Sequence, residues 1–391
     1  MQKEQLVSKL MDKRMRIRLK ALKELTADET DATQTKLPAE NFVNYAYRTV
    51  YSCFDRTASL AVYYSEKFSC PLTAIIDYAS LASVDELVKA QKIVGGLYYN
   101  GAEVKVTAPS GKKISLIALA VPHQNAKAFN DELGAFRNKR LAYTNALREK
   151  LNVRFKKYSI SLPYAFWSLF GAVKTTSTED LYINLANCII EKYKTGESII
   201  NFLTSELKFE LLEDEIKKLS DETSTLYLYD LAYCLYVNLK IKEPDIELGK
   251  WNDFIALSNK YGAISSLIYQ NGNLDEFISL AKEIGAMAGV MEFNGKNQTV
   301  MQEFYDKCLA EGILPIVKST VGHPRTKLDL NFEDEELAIK YKETTFCLVG
   351  HEISSSISVE DGMFSPSTLS RFPTLEERIK LYSRVGSKGF L

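Results

Sequence analysis

From residue 41 onward, short apolar runs alternate with helical stretches, and one long helical block interrupts the alternation. Apolar runs of four to eight residues bounded by turn residues read as buried strands. They fall at Phe42 to Thr49, Leu72 to Asp77, Leu97 to Val106, Lys113 to Ala120, Ala263 to Tyr269, Ala286 to Phe293 and Ile313 to Lys318. The turn Pro109-Ser110-Gly111-Lys112 joins the third and fourth as a hairpin. Helical stretches run from Thr57 to Lys67, His123 to Tyr158, Leu274 to Ile284, Thr299 to Glu311, Asp334 to His351 and Thr374 to Val385. Strands alternating with helices on both sides of a block imply an α/β fold with a mostly parallel sheet. One closed barrel explains both halves most simply. Active groups of such a barrel lie at the carboxyl ends of its strands. Those ends are Tyr45 to Thr49, Asp77 to Ala79, Glu103, His123, Asn294 to Asn297 and Ser319 to Arg325.

The organisation is expected in four parts. Residues 1–40 form a leading helix, with Leu6, Leu10, Ile17, Leu22 and Leu25 at helical spacing, and a polar linker ending near Pro38. Residues 41–158 form the first part of the barrel, 159–250 a helical insertion and 251–391 the second part. Ser83 followed by Glu86 matches a capping box, and Gly95 suits the helix end that follows. The leucine and tyrosine stripes of the insertion are the ordinary pattern of a helical core.

Composition removes several function classes. Lys and Arg number 49 against 50 Asp and Glu, a formal charge of −1, which gives no footprint for nucleic acid or anionic lipid. No apolar run is long enough for a membrane span, and the charged first residues do not read as a secretory signal. The six cysteines form no CxxC pair, which argues against a zinc ribbon or a disulfide framework and favours the cytoplasm. No glycine-rich phosphate loop, GxSxG elbow or HExxH pattern occurs.

Several segments, in order, carry a resemblance. They are Tyr45-Ala46-Tyr47-Arg48-Thr49, Asp77-Tyr78-Ala79-Ser80, Gly101-Ala102-Glu103, Lys296-Asn297, Val321-Gly322-His323-Pro324-Arg325 and the run LVGHE from Leu348 to Glu352. In order and spacing they resemble the PHP superfamily, the polymerase-and-histidinol-phosphatase-like phosphoesterases, and within it a bacterial group with a helical leader and a helical insertion. In that group the first segment carries His-x-His, the second Asp-His-Asp-Ser and the third Gly-x-Glu. The resemblance implies a distorted barrel and a site holding two or three divalent metals, mainly through imidazoles, which activate a water against a phosphate ester.

The departures carry as much information. Three histidines stand against 22 tyrosines. Tyr45, Tyr47 and Tyr78 occupy places where the family has imidazoles, and a phenol with a pKa near 10 is a poor ligand at neutral pH. Thr320 stands where the family loop has an aspartate. The expectation is therefore a degenerate metal site, with no cofactor, in a pseudoenzyme that serves as a binding or scaffolding module. Its partner would be an anionic small molecule or another protein. The alternative is a metal-dependent phosphoesterase with a reduced site, in which Asp77, Glu103 and His323 hold one zinc, manganese or iron ion. Asp77 and Glu103 otherwise read as carboxylates that cap a loop or pair with a cation. Arg48, Lys105, Lys296 and Arg325 form a candidate anion pocket, or pair with Asp55, Asp77 and Glu103. The three tyrosines are expected to fill the volume left by the metals, with hydroxyls bonded to Asp77 or Glu103. His123 reads as a helix cap and His351 as a buried structural histidine. A third reading is a subunit whose tyrosine-rich insertion forms an oligomer contact.

Overall fold

A computed structural model describes residues 2–28, 43–52, 56–67, 70, 72–162, 177–293, 295–322 and 330–389. They form two compact units, one within Met1–Arg137 and Glu247–Leu391 and the other within Asn138–Trp167 and Val173–Ile246.

The first unit is built on a closed seven-stranded barrel. Its strands are β1 (Tyr45–Tyr47), β2 (Leu72–Tyr78), β3 (Leu97–Thr107), β4 (Lys113–Leu119), β5 (Ile264–Ile268), β6 (Ala288–Glu292) and β7 (Leu314–Val321). All neighbours are parallel except at β4, which pairs antiparallel with both β3 and β5. The expected hairpin forms, with Gly111 at a φ of +82° in its turn. β7 runs on to Val321 because Ser319, Thr320 and Val321 pair with Tyr45, Ala46 and Tyr47 and so close the barrel. Thr320 is thus a strand residue, where the sequence suggested a loop.

Helices α1 (Gln2–Lys9), α2 (Met15–Asp28), α3 (Ala58–Lys67) and α4 (Val84–Val94) belong to the first half of this unit. The single leading helix expected from the sequence is two. Asp12 interrupts it, its carboxylate accepting from the Arg14 amide at 2.8 Å in place of a helical bond. Arg18 on α2 donates from Nε to Glu86 Oε1 at 2.8 Å and forms a buried ion pair with the same carboxylate. Glu86 Oε1 also accepts from the Ser59 amide at 3.0 Å and hydroxyl at 2.6 Å. Ser83 makes no side-chain cap at α4. The capping box does not form because Glu86 ties three helices together instead. Gly95 ends α4 in the left-handed region, as expected.

Next come α5 (Ala126–Glu132) and α6 (Gly134–Phe155). The second unit takes the later part of α6 together with α7 (Thr178–Tyr193), α8 (Glu197–Asn201), α9 (Glu213–Ser220) and α10 (Tyr227–Leu239). Its core joins Leu151, Phe155, Leu185, Phe202, Leu231 and Leu235. Tyr193 stacks on Phe202 at 4.1 Å, so these two rings are packing groups, whereas Tyr233 and Tyr236 are exposed.

Back in the first unit are α11 (Trp251–Lys260), α12 (Leu274–Ile284), α13 (Gln298–Ala310), α14 (Glu335–Ile357), α15 (Pro366–Arg371) and α16 (Leu375–Lys388). Strand alternation divides the sheet into two faces. Ala46, Ala74, Ile76, Tyr99, Ile117, Ile264, Val290 and Ile316 share one cluster and fill the barrel interior. Residues one step out of phase, such as Tyr47, Ile75, Ala102, Met291 and Val317, pack outward in the cluster that contains the surrounding helices. Cys347, Leu348, Val349, Ile379 and Tyr382 of α14 and α16 join the interior cluster and seal the floor, the end where the parallel strands begin. There α14 and α16 touch backbone to backbone, since a Cβ on Gly350 would overlap the Tyr382 carbonyl oxygen. No helix among the described residues is long and apolar enough to cross a membrane.

Candidate functional site

At the mouth, the end where the parallel strands finish, the interior positions change from apolar to charged. Arg48 follows β1 in phase with Ala46, Tyr78 ends β2 in phase with Ile76, and Glu103 lies on β3 in phase with Tyr99. All three therefore face inward. The Arg48 guanidinium pairs with Glu103 Oε2, donates to the Ile76 carbonyl and lies over the Tyr78 ring, 4.1 Å from its centroid. Only 5% of the Arg48 side chain and 8% of the Glu103 side chain reach solvent.

On the opposite arc, Glu292 of β6 and Lys318 and Thr320 of β7 face inward by the same phase argument. Lys318 Nζ donates to Glu292 Oε2 at 2.8 Å and bonds to Thr320 Oγ1. Thr320 donates from its amide to Glu292 Oε1 and from its hydroxyl to Oε2 at 3.0 Å. Three donors thus converge on one carboxylate.

Asp77 leaves the other face of the sheet. The β2–β3 register sets Asp77 opposite Ala102 and Tyr78 opposite Glu103, so Asp77 and Glu103 point to opposite sides. Asp77 Oδ1 accepts from the Thr49 amide at 2.7 Å and the Ser52 hydroxyl at 2.6 Å. Its Oδ2 accepts from the Thr49 hydroxyl at 2.7 Å and the Ser83 hydroxyl at 3.0 Å. Ser52 Oγ also accepts from the Tyr78 amide at 2.6 Å. Fully buried with four donors, Asp77 anchors the loops after β1 and β2.

The tyrosines do not fill a vacated metal volume as expected. Tyr45 and Tyr47 fall on the outward phase of β1, and the inward residues are Ala46 and Arg48. The Tyr47 hydroxyl meets Ser65 on α3 at 3.3 Å, and burial raises its pKa well above the ordinary phenol value. The Tyr45 hydroxyl accepts from the Leu330 amide at 3.1 Å. Tyr78 alone faces inward, beneath Arg48.

His123 follows β4, and because β4 runs antiparallel its end lies at the floor rather than the mouth. Nδ1 of His123 meets the Ser356 hydroxyl at 3.1 Å. His351 is structural. Nε2 donates to the Gly262 carbonyl at 2.8 Å and Nδ1 accepts from the Met363 amide at 2.9 Å, while burial lowers its pKa to about 4. Of the described cations proposed for an anion pocket, Arg48 is the one found inside. Lys105 is exposed two residues beyond Glu103 on β3, and Lys296 is exposed in the loop after β6. His323 and Arg325, with Asp55 and Asn294, lie outside the described residues.

Among the described residues, no group of three His, Cys, Asp or Glu side chains could hold a metal ion. Inside the mouth the cationic heads of Arg48 and Lys318 already satisfy the inward carboxylates Glu103 and Glu292. This donor set does not fit a divalent ion, which needs carboxylates and neutral nitrogens turned toward one point. Sequence reasoning missed Lys318 and Glu292. The signal was there, since Leu314, Ile316, Lys318 and Thr320 alternate along one face of β7.

No family model and no curated protein matches the chain. Solved structures do. One is a Bifidobacterium adolescentis protein assigned as a metal-dependent phosphoesterase, 15% identical, with a TM-score of 0.50 over 78% of this chain and 97% of the other. Another is an amidohydrolase from Chromobacterium violaceum with sulfate bound and no metal, 13% identical, with a TM-score of 0.51 over 76% of this chain and 96% of the other. At such identities the likeness concerns the fold alone: the chain has the barrel architecture found in these hydrolases.

Proposed function

We propose that this chain is a binding module on a PHP-like barrel, a pseudoenzyme in which ion pairs replace the metal chemistry of its hydrolase relatives. The observation that carries this reading is the buried Arg48–Glu103 pair at the inner mouth. A guanidinium at that point repels a second cation and occupies Glu103, the more buried of the two inward carboxylates described. Asp77, the other carboxylate of the family-like pattern, faces away with both oxygens engaged. The bound class is an anionic small molecule or an acidic segment of a partner protein, attracted by Arg48 and Lys318 within low-dielectric walls. The sulfate held without metal by the Chromobacterium violaceum barrel agrees with that class.

The competing reading, a phosphoesterase with a reduced metal site, is favoured by the hydrolase neighbours. Elemental analysis of purified protein separates the two. Well under one equivalent of zinc, manganese or iron, and a melting temperature unmoved by a chelator, are expected, since a bound metal would stabilise the folded state. Near-stoichiometric metal, lost together with hydrolysis of a generic phosphate ester in Glu103→Gln, would overturn the proposal.

A further inference from the structure

The two inward carboxylates of the mouth differ in one decisive respect. Glu103 is 8% exposed and fixed under Arg48, whereas Glu292 is 49% exposed although its partner Lys318 is only 4% exposed. Glu292 is therefore a half-hydrated anion resting on a buried cation. Its two oxygens receive the Thr320 amide, the Thr320 hydroxyl and the Lys318 ammonium. β6 ends at Glu292 while β7 continues to Val321, so on the β6 side the Thr320 amide meets the Glu292 side chain rather than a further strand residue. A backbone N–H, a hydroxyl and an ammonium around two oxygens form a carboxylate cradle. Rotating Glu292 outward moves its carboxylate from half to full hydration, while an incoming anion re-satisfies the same three donors.

The geometry points to a ligand site at the β6–β7 mouth in which Lys318 and Thr320 bind the carboxylate of a small molecule, and Glu292 is the built-in occupant that the ligand displaces. This rests on the reading of the chain as a binding module and adds its ligand class and its gate. A phosphate ester presents a similar oxygen edge, so inorganic phosphate serves as the comparison arm. Thr320 and Lys318 fix the ligand by direct bonds, and Glu292 acts only by competing for them.

Thermal shift and calorimetric titration with acetate, succinate and inorganic phosphate test the site. In Glu292→Ala the competitor is gone, and acetate is expected to bind about tenfold more tightly than in wild type. Glu292→Gln, which keeps a neutral side chain of the same length, should fall between and serves if the alanine variant folds poorly. Adding Lys318→Met to either variant should abolish the gain. Phosphate gaining more than acetate would reassign the ligand to a phosphate ester and overturn the carboxylate class. The site itself is overturned if folded Glu292→Ala and Glu292→Gln bind none of the three anions more tightly than wild type. Anion binding that survives Lys318→Met would also overturn it, while leaving the binding-module reading intact. Stoichiometric metal with hydrolysis would defeat that reading separately.

Discussion

Glu103 at the mouth and Glu352 of α14 at the floor are both buried, yet their surroundings differ in kind. Glu103 meets a guanidinium. Glu352 meets an amide: its Oε1 accepts from Asn100 Nδ2 at 3.1 Å, and burial pushes its pKa well above the usual carboxylate range, against the smaller lowering effect of Asn100. The mouth carries charge balanced by charge, which a ligand can exchange. The floor gives up charge, as suits a region that only has to stay closed, and His351 beside it is likewise held neutral. The inward-facing ion pairs described thus lie where the parallel strands end, the position that barrels of this kind use for ligands.

The comparison can be broken at either end. The largest effect is expected from Arg48→Ala, which removes the guanidinium paired with the buried Glu103 carboxylate and should cost about 3–5 kcal/mol in urea unfolding. Combining Arg48→Met with Glu103→Leu should recover most of that loss, because both charges are then gone. A loss below about 1 kcal/mol in the single variant would mean that Glu103 reaches water and that the mouth is not a low-dielectric site.

The second test is pH dependence at the floor. Above about pH 4.5 the folded protein holds a proton on Glu352 that the unfolded chain releases, so this group makes stability fall as pH rises. His351 works the other way. Its pKa falls from 6.5 to about 4, so its contribution is lost as pH drops through that window. The two slopes oppose each other between pH 4.5 and 6.5. Glu352→Gln removes one of them, and the variant should gain on wild type with each unit above about pH 4.5, by at most about 1.4 kcal/mol per unit. A variant-minus-wild-type difference that stays flat from about pH 5 to 8 would show Glu352 to be charged in the folded state. The smallest effect belongs to the surface. Lys282 and Glu311, at 57% and 42% exposure, form a 2.5 Å pair whose loss in Lys282→Ala should cost no more than about 0.5 kcal/mol in the same unfolding assay.

Strand positions were legible because each is a compact apolar run, and the hairpin because Pro109 to Lys112 has turn chemistry. The phase of the short first strand was not. Tyr45-Ala46-Tyr47-Arg48 offers a hydrophobic residue at almost every step, so alternation cannot tell which side faces in, and the tyrosines drew attention from Arg48. Glu86 looked like a helix cap, since a capping pattern is local, while its partners Arg18 and Ser59 are brought to it only by the tertiary fold. Lys318 and Glu292 lie on different strands, and their pairing follows from the β6–β7 register.

The seam between β1 and β7 ties Ala46 to Thr320 across most of the chain's length. During synthesis, which proceeds at about 5–20 residues per second, β1 can pair with β2 early but must wait on the order of tens of seconds for β7. Through that interval one side of β1 presents unpaired N–H and C=O groups, a template for pairing with other chains. Yield in the cell should therefore depend on elongation speed and chaperone supply more than on the stability of the finished barrel.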